Sequence, residues 1–176
     1  MTLEYSQQRG YLDSFLNALD ISTTSQTLVF SKTSRQRRFI SPQTPRAVYF
    51  NDDVYVGWIP DGEIIEISVA DPKLGAVFYT IDQHKQISPV TIDRQLGQCL
   101  LCHASSHTDR IPGHIVRSVH TDRTGMPMLQ SVAYRTTDRS PLSERWGGWY
   151  VTGTHGQQMH MGNLWSEETN QWSPID

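Results

Sequence analysis

The sequence predicts an α+β domain dominated by an antiparallel β-meander, with one N-terminal helix and a short helical turn near its centre. Three observations carry this. Four β-rich runs follow one another between residues 47 and 81, broken only by turns rich in Asn, Asp, Pro and Gly. One stretch, residues 7–20, has helical rather than strand periodicity. The chain has 176 residues, 37% hydrophobic and 19% charged, enough apolar material for one globular domain spanning 1–176.

Taken in order, residues 7–20 form the helix, because Tyr11, Leu12, Phe15, Leu16 and Leu19 make one apolar face. Residues 27–30 are a short apolar strand. The segment 31–46 is polar and carries Lys32, Arg35, Arg37, Arg38 and Arg46, as a solvated loop or a docking face for an acidic partner or for the propionates of a haem. Strands follow at 47–50, 54–59, 63–69 and 76–81; the intervening Asn51-Asp52-Asp53, Pro60-Asp61-Gly62 and Asp71-Pro72-Lys73-Leu74-Gly75 favour tight reversals. A helical turn is expected within 90–103. Two further strands, 115–119 and 129–134, flank the turn Thr124-Gly125-Met126-Pro127, and another lies at 149–152. The polar tail from about 166 is expected to be mobile.

Composition excludes several classes. Fifteen Lys+Arg against eighteen Asp+Glu give a net charge of -3, whereas a nucleic-acid binder is usually strongly basic. No apolar run approaches the ~20 residues that cross a bilayer. Two cysteines and no heptads leave neither a disulfide scaffold nor a coiled coil.

Those cysteines are Cys99 and Cys102, in Gln98-Cys99-Leu100-Leu101-Cys102-His103. Cys-x-x-Cys-His is the attachment signature of c-type haem. Each thiol adds across one haem vinyl group, two intervening residues on a helical turn bring the sulfurs to both vinyls, and the following imidazole meets the iron as proximal ligand. Three other readings compete. A thioredoxin-like pair calls for a buried strand before the motif, but Thr91-Ile92-Asp93-Arg94-Gln95-Leu96-Gly97 is polar. A zinc site would need two more ligands, and no second Cys-x-x-Cys supplies them, although His103 and His107, one helical turn apart, would complete a Cys2His2 cluster. A Cys99–Cys102 disulfide would close a small, strained loop. Haem attachment through thioethers occurs outside the cytoplasm, which in bacteria is the periplasmic side. Residues 1–6 have no basic start and no apolar stretch, as expected of a mature form or of a domain from a longer protein.

Through Cys99, Cys102 and His103 the chain resembles the c-type cytochromes, though not the small all-helical ones, whose motif lies near the start of the domain. Phe30-Ser31-Lys32-Thr33-Ser34, residues 49–58, Glu144-Arg145-Trp146-Gly147-Gly148-Trp149-Tyr150 with its continuation to Gly156, and Met159-His160-Met161-Gly162-Asn163 resemble a poorly characterised group of bacterial monohaem cytochrome c domain proteins. The resemblance runs from about residue 27 to 163. It implies one covalent haem c in an extracytoplasmic protein and brings no substrate with it.

The opposite face of the iron decides what such a protein does. A second protein ligand makes an electron carrier, and Met raises the potential relative to His. Two His and two Met crowd into residues 155–161, between glycines that let a loop approach a ring closely, so His155, His160 and Met161 are the leading distal ligands. His84, His107, His114, His120, Met126, Met128 and Met159 are the remaining candidates. Arg117 is a partner for a haem propionate, as are Arg123, Arg135 and Arg145. Trp146, with Trp149 and Tyr150, suits a porphyrin face. The expected role is electron transfer with a redox partner protein or small redox molecule. The alternative is a haem enzyme or gas sensor with an open distal site, peroxidase-like if His155 or His160 moves protons at bound peroxide.

Overall fold

A computed structural model describes residues 2–85, 89–129, 131–166 and 172–174. Chain length leads to the expectation of one domain; the chain divides into two compact units interleaved in sequence, Met1–Gln26 with Ala47–His114, and Thr27–Arg46 with Ile115–Asp176. In chain order the elements are α1 (Leu12–Ala18), β1 (Thr27–Val29), β2 (Arg46–Phe50), β3 (Val54–Trp58), β4 (Ile64–Asp71), β5 (Gly75–Asp82), β6 (Asp93–Arg94), α2 (Gln98–His103), β7 (Val116–Val119), β8 (Ala133–Thr136), β9 (Trp149–Tyr150), β10 (Leu164–Ser166) and β11 (Trp172–Pro174). Antiparallel sheet predominates and helices are few, as the α+β expectation requires.

The first unit is the predicted meander. Strands β2 to β6 pair antiparallel in sequence order, with Tyr49 opposite Val56, Val56 opposite Ile67 and Ile67 opposite Tyr79. Alternation sends Ile65 and Ile67 of β4 inward, buried with Tyr49 and Val56. Tyr49 keeps its hydroxyl satisfied inside this core by accepting hydrogen bonds from the side chains of Arg9 and Gln26.

Helix α1 is shorter than residues 7–20. Ser6 and Gly10 exchange both backbone hydrogen bonds, and Gly10 takes a φ of +59° that closes the intervening residues into a turn. The expected apolar face survives in the remaining turns, where Leu12, Phe15 and Leu16 are buried. At the far end Asp20, at φ +53°, reverses the chain so that the Ile21 N–H reaches the Leu16 carbonyl.

The second unit consists of short antiparallel pairs, β1 with β9, β7 with β8 and β10 with β11. The strand expected at 129–134 begins only at Ala133, and Leu129 is 101% exposed. The chain first closes a tight turn, with Thr121 bridged to Pro127, the Met128 N–H on the His120 carbonyl, and the Asp122 carboxylate accepting from the Thr124 and Met126 N–H groups and the Thr124 hydroxyl. The polar segment 31–46 is only partly solvated: Ser31, Gln36 and Ile40 are buried, and the Lys32 N–H bonds the Gly125 carbonyl. Two glycines sit tightly in this unit. A Cβ on Gly147 would stand 2.7 Å from the Val119 carbonyl oxygen, and one on Gly148, at φ +82°, 2.5 Å from Ser31 Cβ. From the tail, Trp172–Pro174 pairs with Leu164–Ser166; the rest of the segment expected to be mobile lies outside the described residues.

Candidate functional site

Helix α2 starts after Gly97 and spans little more than one turn, closed by the Ala104 N–H on the Leu100 carbonyl. Its spacing puts Cys99 and Cys102, at i and i+3, on one face. Cys99 is half-buried, Cys102 is exposed and no disulfide joins them. His103 occupies the last helical position. Its Nδ1 lies 2.9 Å from the Gly113 carbonyl oxygen, and the Gly113 N–H bonds back to the His103 carbonyl at 2.8 Å. A carbonyl can only accept, so Nδ1 carries the proton and the lone pair of the neutral ring sits on Nε2. The ring packs 4.5 Å from that of Phe78.

The segment 112–114 that offers this carbonyl is itself fastened to the meander. The Pro112 carbonyl accepts from the Ala76 N–H at 2.9 Å. His114 Nε2 lies 2.7 Å from Ser68 Oγ, and its ring sits 4.8 Å from that of Tyr55. Gly75 lets the carbonyl in: at φ +76°, a Cβ there would fall 2.1 Å from the Pro112 oxygen. Tyr55, Ser68 and Phe78 are cross-strand partners in one row over β3, β4 and β5. One row of the sheet thus receives His103 and His114 together. An open cavity of about 490 Å³ lies alongside, lined by Asp53, Asp71, Gly75, Pro112, Gly113 and His114.

Electrostatics follow from these contacts. Burial, then the nearby His103, pushes the His114 pKa down, favouring a neutral ring. The Lys73 and Leu74 N–H groups hold the Asp71 carboxyl below its ordinary range. Beside the cysteines, Leu101 is 78% and Leu96 68% exposed, large apolar groups presented next to the thiols.

Of the other predicted residues, His84 and His107 belong to the first unit, and Arg117, Trp146, His155, His160 and Met161 to the second. The Arg117 side chain is exposed, and its main-chain carbonyl accepts from Trp149 Nε1 at 2.8 Å. Trp146 is half-buried with a φ of +75°, unusual for a bulky residue, and stands edge-on to Trp149. His155 and His160 come together, ring centroids 4.3 Å apart. His155 is exposed and Nδ1 lies 3.0 Å from the Gln158 carbonyl, which leaves its lone pair on Nε2. His160 has the opposite tautomer: Nδ1 accepts from the Gly162 N–H, so Nε2 carries the proton, buried without a hydrogen-bond partner among the described residues. Burial, and then His155, lowers its pKa. Met161 is buried, and its sulfur accepts from Ser118 Oγ at 3.5 Å.

Sequence reasoning missed Phe78, Ser68, Tyr55 and Gly113. The three strand residues read as ordinary meander positions, and a backbone carbonyl carries no side-chain signal. No protein-family model, curated protein or solved structure matches the chain. Its chemistry therefore has to be argued from this site alone.

Proposed function

We propose that the chain carries one haem c, attached through thioethers to Cys99 and Cys102 with His103 as proximal ligand, and that it transfers electrons outside the cytoplasm with a redox partner. One observation carries the reading. The residue after the second cysteine has its imidazole oriented by a carbonyl at Nδ1, which turns Nε2 into the coordinating nitrogen; a proximal histidine needs this outer hydrogen bond. The residues also fit the group chemically. The thiols share one face of a helical turn and are not consumed in a disulfide, and exposed Leu96 and Leu101 offer apolar cover to a porphyrin.

Bound haem c would supply a one-electron iron couple. The chain's part is to keep the iron's surroundings from rearranging as charge changes. Cys99 and Cys102 would tether the group, while the Gly113 carbonyl holds the His103 ring and Phe78 packs against it.

A second reading, a haem c enzyme or gas sensor with an open or displaceable sixth position, is favoured by the state of the distal candidates. Met161 sulfur is engaged by Ser118, and His160 Nε2 bears a proton. Co-expression with a cytochrome c assembly system tests both readings. Haem that survives acid-acetone extraction, and is lost in a Cys99→Ala/Cys102→Ala double variant, is the expected result. A protein with no covalent haem bands would overturn the proposal. Carbon monoxide then separates the roles: a reduced spectrum that it leaves unmoved supports the carrier, and a shifted one supports the sensor or enzyme.

A further inference from the structure

His103 does not hold its carbonyl partner by itself. Gly113 lies between Pro112, pinned by the Ala76 N–H, and His114, pinned by Ser68. Between His103 and Pro112 the chain folds back through tight turns, with Asp109 and Arg110 both at positive φ and the Thr108 hydroxyl on the His103 carbonyl. The far end of this strap is set by the Ser68–His114 contact, with the His114 ring beside that of Tyr55. Ser68 sits in central strand β4, paired on both sides by Tyr55 and Phe78. It is therefore a rigid point. The same row carries the ring that packs on His103.

From this geometry we infer that Ser68 and His114 are positioning residues for His103, setting the strength of its Nδ1–H···O=C bond and through it the electron donation of the ligand. The inference rests on the haem reading above. The path is short: Ser68 Oγ fixes His114, His114 fixes the adjacent Gly113 carbonyl, and that carbonyl polarises the imidazole. A stronger bond makes the imidazole a better donor and favours oxidised iron. Loosening it favours reduced iron.

Two measurements on Ser68→Ala, Ser68→Thr, His114→Phe and the unaltered protein test this. In haem-free protein, side-chain ¹⁵N resonances report the His103 tautomer. The unaltered protein should hold the Nδ1–H form, and Ser68→Ala and His114→Phe should shift several-fold toward Nε2–H. In the haem-loaded protein, the same two variants should favour the reduced form by about tenfold, a rise of roughly 59 mV for one electron. Ser68→Thr keeps a hydroxyl on a strand that tolerates β-branching, and should restore both signals. His114→Phe keeps the ring against Tyr55, so the inference remains testable if Ser68→Ala fails to fold. Ser25→Ala removes a hydroxyl that holds the Phe50 N–H elsewhere in the same unit, and should move neither signal. Unchanged tautomer or potential in both Ser68→Ala and His114→Phe, or an equal change in Ser25→Ala, overturns the inference while leaving covalent haem intact. An unaltered protein that takes no covalent haem instead overturns the haem reading, and the inference with it.

Discussion

Replacing Gly75 by alanine probes how the strap behind His103 is seated. Two penalties act at this position. A φ of +76° costs an L-residue about 1–2 kcal/mol relative to glycine. The added Cβ would lie 2.1 Å from the Pro112 carbonyl oxygen, which is backbone and cannot rotate away. Relief requires residue 112 to move and give up the bond from the Ala76 N–H, a loss of about 0.5–1.5 kcal/mol. The two together are about 1.5–3.5 kcal/mol, or a fall in Tm of roughly 3–14 °C for a chain of this length. Urea unfolding followed by tryptophan fluorescence measures it. Gly97→Ala is the control, since Gly97 has negative φ and nothing within 4 Å of its would-be Cβ, so its change should stay within about 0.5 kcal/mol. A Gly75→Ala cost no larger than that of Gly97→Ala would show that residue 112 is not held against β5, and the route from Ser68 to His103 would lose its footing.

Asp122→Ala should cost about 1–2 kcal/mol at neutral pH, because three donors lose a carboxylate acceptor in a partly exposed turn. Burial raises the Asp122 pKa, but the hydrogen bonds from Thr124 and Met126 and the charge of Lys32 outweigh it, and the net shift is downward. A depressed folded pKa gives stability above the unfolded value and loses it as pH falls through the folded one. The gap between Asp122→Ala and the unaltered protein, read from urea unfolding at neutral and strongly acid pH, should therefore close in acid; a constant gap would contradict the assignment. Tyr49→Phe removes the hydroxyl that accepts from Arg9 and Gln26; Gln26 is exposed and Arg9 also pairs with Asp13, so stability should fall by only about 0.5–1.5 kcal/mol in the same assay. Met161→Leu conserves volume in a buried site and should cost less than about 1.5 kcal/mol. With its sulfur tied to Ser118, the variant should leave the spectrum of haem-loaded protein unchanged; new carbon monoxide binding would return Met161 to the iron.

The meander was legible because two independent signals agreed over the same residues. β-Branched and aromatic runs supplied the strands, and Asn51-Asp52-Asp53 and the Asp71–Gly75 turn supplied the reversals. Where one signal acted alone, boundaries slipped. The apolar spacing of residues 7–20 could not reveal that Ser6 and Gly10 would pair and cut the helix to Leu12–Ala18. Residues 129–134 have strand composition, yet regular strand pairing begins only at Ala133, beyond the turn closed by the Thr121–Pro127 bridge. The division into two units was also hidden, because each is assembled from two separated stretches of chain and no composition change marks the crossings.

The site divides along a different line. A spacing motif is carried by side-chain identity, so Cys99, Cys102 and His103 stand out as a Cys-x-x-Cys-His unit in the sequence itself. Everything that tunes them is a matter of which atom is already engaged. Sequence proximity made His155, His160 and Met161 look equivalent, but hydrogen bonding gives the two imidazoles opposite tautomers and commits the thioether to a serine. Likewise Gly113 acts through a carbonyl that any residue possesses; what selects it is the tight turn behind it, the glycine at 75 that admits its neighbour, and Ser68, distant in sequence from Phe78 but directly opposite it on the adjacent strand. A ligand's identity is written in the side chains, whereas its donor strength is written in backbone register. The second can be read only once the strands are paired.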